Sequence, residues 1–151
     1  MTPPRTFVDS NILLDGLLSN WSTSRAILIL SVRRVFKMVL AEDVRLEVER
    51  CLLKLLGEDP ERGSQLIDDY DKFIKLTRPE QIPLTTSEEV VSHRHLIRHI
   101  ADVPVLVAAL KSQPGWLVTK NTHHFTKAVA HRTGLRIVHP DQFVKILRIE
   151  Q

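Results

Sequence analysis

The chain has 151 residues and a mass of 17.3 kDa, the size of one compact domain, since such domains cluster at about 100–200 residues. With 43% hydrophobic and 26% charged residues, 5 Gly and 8 Pro, and a mean hydropathy of -0.07, it lies outside the disordered, collagen-like and membrane-embedded compositions. The formal charge of +3 is too small to mark a nucleic-acid binder by itself, but residues 42–71 hold ten acids against four bases and residues 111–151 seven bases against two acids.

The first apolar run, Thr6–Val8, reads as a strand ending at Asp9, and Asn11–Leu18 as a helix with Ser10 or Asn11 available to cap it. Ser22-Thr23-Ser24 offers caps for a second helix through Ala26, Ile27 and Leu30, with Arg33 and Arg34 placed to meet its C-terminal dipole. Val35–Leu40 is the next strand. Glu42–Leu56 reads as a helix with Val44, Val48, Cys51, Leu52 and Leu55 on one stripe and Gly57 as its stop. Asp59-Pro60 opens another, with Leu66, Ile67, Tyr70, Phe73 and Ile74 facing inward, so the two form a helical hairpin.

Gln81–Leu84 is a short strand that Pro83 assigns to a sheet edge. Ser87-Glu88-Glu89 starts a helix expected to carry His93, His95 and His99. Val105–Leu110 is an apolar helix after Asp102-Val103-Pro104, and Pro114-Gly115 turns into the strand Trp116–Val118. A helix around Ala128–His131, a turn at Gly134, a strand at Leu135–Val138 and a helix opened by Pro140 complete the chain. Five strands separated by helices predict one α/β domain over residues 1–151, a three-layer α/β/α arrangement around a central, mainly parallel five-stranded sheet.

Cys51 is the lone cysteine, which excludes an internal disulfide and a cysteine-type zinc site. The N-terminus lacks the uncharged stretch of a signal peptide, and no apolar run approaches the ~18–20 residues needed to span a bilayer. A cytoplasmic protein without membrane contact is expected.

In open α/β sheets functional groups gather at the carboxyl ends of strands. Asp9 and Thr119 to Asn121 follow strands, and Asp102 stands just before the apolar helix. On the third helix Glu47 lies about 85° from the centre of the apolar stripe, against about 115° for Glu49 and 135° for Glu42. Glu47 is thus expected at the border of the buried face, with the other two toward solvent. Each residue also has a plain structural reading: Asp9 and Asp102 as helix caps, Asn121 as a loop residue, Glu47 as a solvated acid. Carboxylates brought together raise one another's pKa unless a divalent cation sits between them, and an all-oxygen set suits Mg²⁺ or Mn²⁺. His95 and His99 would share a helix face at i and i+4, but no His-Glu-x-x-His motif accompanies them. His99 or His123 near bound phosphates would add positive charge at lower pH.

Phe7-Val8-Asp9-Ser10-Asn11-Ile12-Leu13-Leu14, the acidic helix with Glu47, Ala101-Asp102-Val103-Pro104-Val105-Leu106-Val107-Ala108-Ala109-Leu110, Leu117-Val118-Thr119-Lys120-Asn121 with Phe125, and Val138-His139-Pro140-Asp141-Gln142-Phe143 together resemble the PIN domain. The layout is similar to members that act as toxins of toxin-antitoxin pairs. The resemblance implies a metal-dependent endoribonuclease in which Asp9, Glu47 and Asp102 hold Mg²⁺ or Mn²⁺, with Asn11 and Thr119 supporting the site. It also implies an RNA substrate, a small antitoxin partner and a homodimer. Asn121 stands where many members carry a fourth aspartate, and there it could orient water but not accept a proton. His99 stands where relatives often have a further acid. Lys120 and Lys127, nearest the site in sequence, are the candidates for RNA backbone contacts. The rival reading is a catalytically impaired module of the same fold that binds RNA or a protein partner.

Overall fold

The computed structural model describes residues 2–150. Strand β1 (Arg5–Val8) leads into helices α1 (Ser10–Leu18) and α2 (Thr23–Val32), and β2 (Lys37–Ala41) is followed by α3 (Glu42–Glu58), α4 (Pro60–Thr77) and β3 (Glu80–Ile82). Then come α5 (Ser87–His93), α6 (Val103–Ser112), β4 (Trp116–Val118), α7 (Lys127–Thr133), β5 (Ile137–Val138) and α8 (Pro140–Glu150). The strands form one parallel sheet in the order β3-β2-β1-β4-β5, the centre of a three-layer α/β/α fold. From β1 the chain first builds outward through β2 and β3, then returns to the other side of β1 to add β4 and β5. The topological switch therefore lies between β1 and β4, where loops diverge and leave a crevice.

The central strands are apolar on both faces, as strands covered by helices on two sides must be: Phe7, Val8, Met38, Val39, Leu40, Leu117 and Val118 are fully buried. Short β3 occupies the edge and stops before Pro83, which has no N–H to give a ladder.

Several local expectations change. Asp9, rather than Ser10 or Asn11, caps α1, accepting from the Ser10 amide. Helix α2 ends before Arg33, and Arg34 takes a left-handed turn at φ 64°, which delays β2 to Lys37. The Arg34 guanidinium donates to the carbonyls of Leu76, at 3.1 Å, and Thr77. The cation does meet a helix C-terminus, but that of α4 rather than its own. Of the α3 stripe only Val44, Val48 and Leu52 are buried; Cys51 is exposed, because the sheet and α4 cover a narrower strip than five positions. Strand β5 shortens because Gly134, at φ 77°, closes α7 and the Leu135 amide turns back to the Thr133 hydroxyl, 3.2 Å.

Helix α5 stops at His93 and gives way to two short 3-10 turns, Arg94–Leu96 and Ile100–Asp102. Ile97 between them is extended and buried, so its burial breaks the helix, and His95 and His99 do not share a face.

Gly57 does not stop α3, which runs on to Glu58. The stop comes from Pro60, which disfavours helical backbone at Asp59; Asp59 sits at φ -142°, ψ 86° and caps α4 through the Arg62 amide. Gly63 matters for a different reason: a Cβ there would lie 2.4 Å from the Leu56 Cα, whereas one at Gly57 meets nothing within 4 Å. Gly57→Ala is therefore expected to stabilise the protein by about 0.4–1 kcal/mol through a less flexible unfolded chain. Gly63→Ala should cost about 1–3 kcal/mol by forcing the hairpin apart. Urea midpoints of the two variants distinguish these outcomes; equal shifts would show that Gly63 is not the contact point.

Candidate active site

The crevice at the switch point is lined from both of its strands. Asp9 leaves the end of β1 and Thr119 the end of β4, strands paired in register Val8 to Val118, and the Asp9 amide donates to the Val118 carbonyl at 3.1 Å. Adjacent parallel strands thus deliver both side chains to one place. Asp9 is 5% exposed and Thr119 fully buried. Asp9 Oδ1 accepts from the Ser10 amide at 2.8 Å, and Oδ2 accepts from Thr119 Oγ1 at 2.8 Å and from Asn11 Nδ2 at 3.4 Å. Asn11 Oδ1 takes the Lys120 amide, 3.1 Å, while Thr119 Oγ1 takes the Asn121 amide, 3.0 Å. Asn11 and Thr119 therefore hold both the Asp9 carboxylate and the loop after β4.

Burial pushes the Asp9 carboxyl above its ordinary value; the Thr119 and Ser10 hydrogen bonds oppose this, and the fields of Glu47 and Asp102 add to it. Both of the other acids are thus near enough for their charge to act on Asp9. Glu47, however, is exposed, whereas Glu42 and Glu49 are half-buried, the reverse of the helical-wheel expectation. The wheel measures distance from the apolar stripe and carries no information about where the sheet ends. Glu47 stands on the wall of an open cleft of about 360 Å³ shared with Asp43, Arg50, Ala101 and Pro104, and Glu49 lies 3.9 Å from Arg45.

Asp102 directly precedes α6 but makes no side-chain cap, so it does not serve as the helix cap that its position offers. Its Oδ2 lies 2.6 Å from His124 Nδ1, yet neither atom, both closed off from solvent, has an aligned hydrogen bond. The His124 ring stacks on His99, centroids 3.6 Å apart and planes at 19°. His99 is thus beside Asp102 by way of His124, and His123 is exposed. In sequence, His124 belongs only to a loose set of histidines, with His93, His95, His99 and His123, whose reading as a transition-metal site no metal-binding motif supports. Its partner lies 22 positions away across two elements, so no periodicity links them; only the doubled histidine after Asn121 marks the place.

Asn121 is half-buried and shapes the loop through its main chain, its carbonyl accepting from the amides of His124 at 3.2 Å and Phe125 at 3.0 Å. Lys120 turns toward α1, its Nζ 3.4 Å from Asp15 Oδ2. Lys127 opens α7, exposed, on a separate cleft with Thr122, Thr126 and His139.

The donor types are those of a hard divalent cation: three carboxylates, one of them destabilised as an anion by burial and, to a lesser extent, by the charges of the other two, and an orphaned Asp102 oxygen. Among the described residues no three acidic, histidine or cysteine side chains are gathered closely enough to hold an ion together. Asp102 is turned to His124 instead.

None of the curated proteins matches this sequence. Among solved structures, the chain is similar to VapBC2 from Rickettsia felis bound to a promoter DNA fragment, at 17% identity and a TM-score of 0.63 over 89% of this chain and 98% of that one. It is similar also to FitAcB from Neisseria gonorrhoeae, at 13% identity and a TM-score of 0.65 over 89% and 97%. A toxin-antitoxin complex from Klebsiella pneumoniae shares 18% identity at a TM-score of 0.57, over 89% and 97%. At such identities the shared property is the fold. The family model of the PIN domain matches residues 5–123, a span that opens with β1, takes in Asp9, Glu47, Asp102 and Thr119, and ends one residue before His124; the chain belongs to the PIN domain family.

Proposed function

We propose that this protein is a divalent-metal-dependent endoribonuclease acting as the toxin of a toxin-antitoxin pair. The observation that carries the reading is Asp9: a buried carboxylate at the switch point, raised in pKa by burial and by the charges of Glu47 and Asp102. Such an arrangement works against folding and has a use when a cation is bound. Asp9, Glu47 and Asp102 would hold Mg²⁺ or Mn²⁺. When bound, that ion polarises the scissile phosphate and lowers the pKa of water. Thr119 and Asn11 fix the Asp9 carboxylate so that its free lone pairs point in one direction. Glu47, exposed at the cleft, is the carboxylate best able to take the proton of an attacking water. Asn121 contributes an amide that orients water without removing its proton. The basic residues 111–151 supply phosphate contacts, with Lys127 more available than Lys120, which must first leave Asp15.

An antitoxin partner is supported by the similar structure from Klebsiella pneumoniae, which is described as a toxin-antitoxin complex, and a cytoplasmic homodimer belongs to the same reading. Light scattering that gives a monomer at working concentration contradicts the dimer. The rival, a silent binding module, draws on the contact between Asp102 and His124, which ties up a carboxylate that catalysis needs. Cleavage of single-stranded RNA in Mn²⁺ separates the two. The ribonuclease reading expects Asp102→Ala to lose about 100-fold or more in rate; equal rates for the variant and the wild type remove it.

A further inference from the structure

A second cleft, of about 410 Å³, opens beside the loop that follows β4, at the sheet edge where β5 ends. Its volume is within the range of small-ligand sites, roughly 300–1,000 Å³. The loop is a partition between this cleft and the crevice. His124 stands against Asp102 on one side, while Thr122 and Phe125 line the cleft on the other. The Asn121 carbonyl holds the turn by accepting from the His124 and Phe125 amides, and the Asn121 amide donates to the Thr119 hydroxyl that holds Asp9. Crevice and cleft are therefore fixed relative to each other.

The cleft offers a cation and hydrogen-bond donors, and no carboxylate among the described residues lines it. Lys127 is exposed on its wall and has no ion-pair partner among the described residues. Gln142 Oε1 accepts from the His139 amide at 3.3 Å, so its amide nitrogen is left to donate. Thr126 Oγ1 accepts from the Val129 amide, also at 3.3 Å, and keeps its own proton to give. The acid nearest in sequence, Asp141, stands 3.6 Å from His139 Nδ1. The same lining includes half-buried Ala130 and Ile137. Donors without acids select an anion, and apolar side chains beside them select one that carries a flat apolar face. A nucleotide has both parts.

We propose that this cleft holds a nucleotide of single-stranded RNA that flanks the one in the crevice, its phosphate on Lys127 and the Gln142 amide and its base against Ala130 and Ile137. A strand that crosses the loop after β4 occupies both places. The inference rests on the RNA-substrate part of the proposed function and calls for no bound cation.

The test is binding of a short single-stranded RNA to the full chain in EDTA, followed by fluorescence anisotropy and by amide NMR spectra. The RNA is expected to shift the amides of Thr122, Lys127 and Gln142 in the wild type. Lys127→Gln should weaken binding at least about 3-fold and lower the salt dependence by about 0.7 in log–log slope, the value of one single-strand phosphate contact. Lys54→Gln, the same charge change at an exposed position on α3, should weaken it less than about 1.5-fold. Ala130→Leu, which narrows the cleft without touching charge, should weaken binding at an unchanged slope. Inorganic phosphate that shifts the same amides at the same concentration would reduce the cleft to an anion site, and nucleoside monophosphates that bind as tightly as the RNA would make it a site for free nucleotides; either result overturns the proposal. So does RNA that fails to bind, or that binds without shifting the cleft amides, while cleavage in Mn²⁺ leaves the ribonuclease reading standing. Shifted cleft amides in a wild type that never cleaves RNA remove the ribonuclease reading and support the cleft. The wild-type spectra decide the location, so a variant that folds poorly does not shield the proposal.

Discussion

Asp9→Asn is expected to lower RNA cleavage by about 10³-fold and, in the metal-free protein at pH 7, to raise the melting temperature. The two effects share one cause. Asp9 is almost fully buried beside the charges of Glu47 and Asp102, so its anion is disfavoured in the folded state. Asparagine keeps the shape and can still accept from Ser10 or Thr119, but carries no charge. The sign follows from linkage. Below the unfolded-state value near 3.8 the carboxyl is protonated in both states and costs nothing. As pH rises from there through the raised folded value, the unfolded chain releases its proton first, and wild-type stability falls; above the folded value the loss is complete. In EDTA the wild type should lose stability across that window while the variant does not, leaving the variant higher by about 2–4 °C, the shift that 1 kcal/mol produces in a chain of this size. A variant that is inactive and also less stable at pH 7 would mean that Asp9 is a structural cap whose charge is well tolerated.

The largest expected loss of stability from one side chain is at Phe143. Its ring is fully buried on α8 and meets Phe36, just ahead of β2, edge to face at a centroid distance of 5.2 Å and 83°. Helix α8 also packs on α2, so Phe143 joins the end of the chain to the first crossover. Phe143→Ala removes the ring and leaves a cavity, at a cost of about 3–5 kcal/mol, against a total stability of roughly 5–15 kcal/mol for proteins of this kind. Phe143→Leu, which retains most of the volume, should cost less than about 1.5 kcal/mol. The position lies beyond the span matched by the family, so it asks whether residues after 123 belong to the cooperative core. A loss below about 1 kcal/mol in urea unfolding of Phe143→Ala would place α8 outside the unit that unfolds together.

Features governed by neighbours in sequence were legible before any coordinates. Trp116–Val118 is bounded by Pro114-Gly115 and a polar loop and is a strand with those limits; Asp59-Pro60 starts a helix because cap and proline act locally. Asp9 and Thr119 could be found because the ends of parallel strands are places that an element order alone identifies. Other features were decided by packing. Gly57 reads as a helix stop, but the proline three residues on sets the end. His93, His95 and His99 read as one helix until the burial of Ile97 breaks it. Glu47 and Glu49 exchange burial because the covering of a helix depends on what lies across from it. The contact of His124 with Asp102 lay furthest from the sequence, since it joins two loops that only the sheet brings together.

Cleavage of single-stranded RNA by the purified protein, measured after chelation with EDTA and again after Mn²⁺ is returned in excess, tests the carboxylate site most directly. No cleavage above background is expected in EDTA, with activity restored by Mn²⁺ in the wild type and not in Asp9→Asn. Cleavage that persists undiminished in EDTA, or that Asp9→Asn carries out at the wild-type rate, would contradict it.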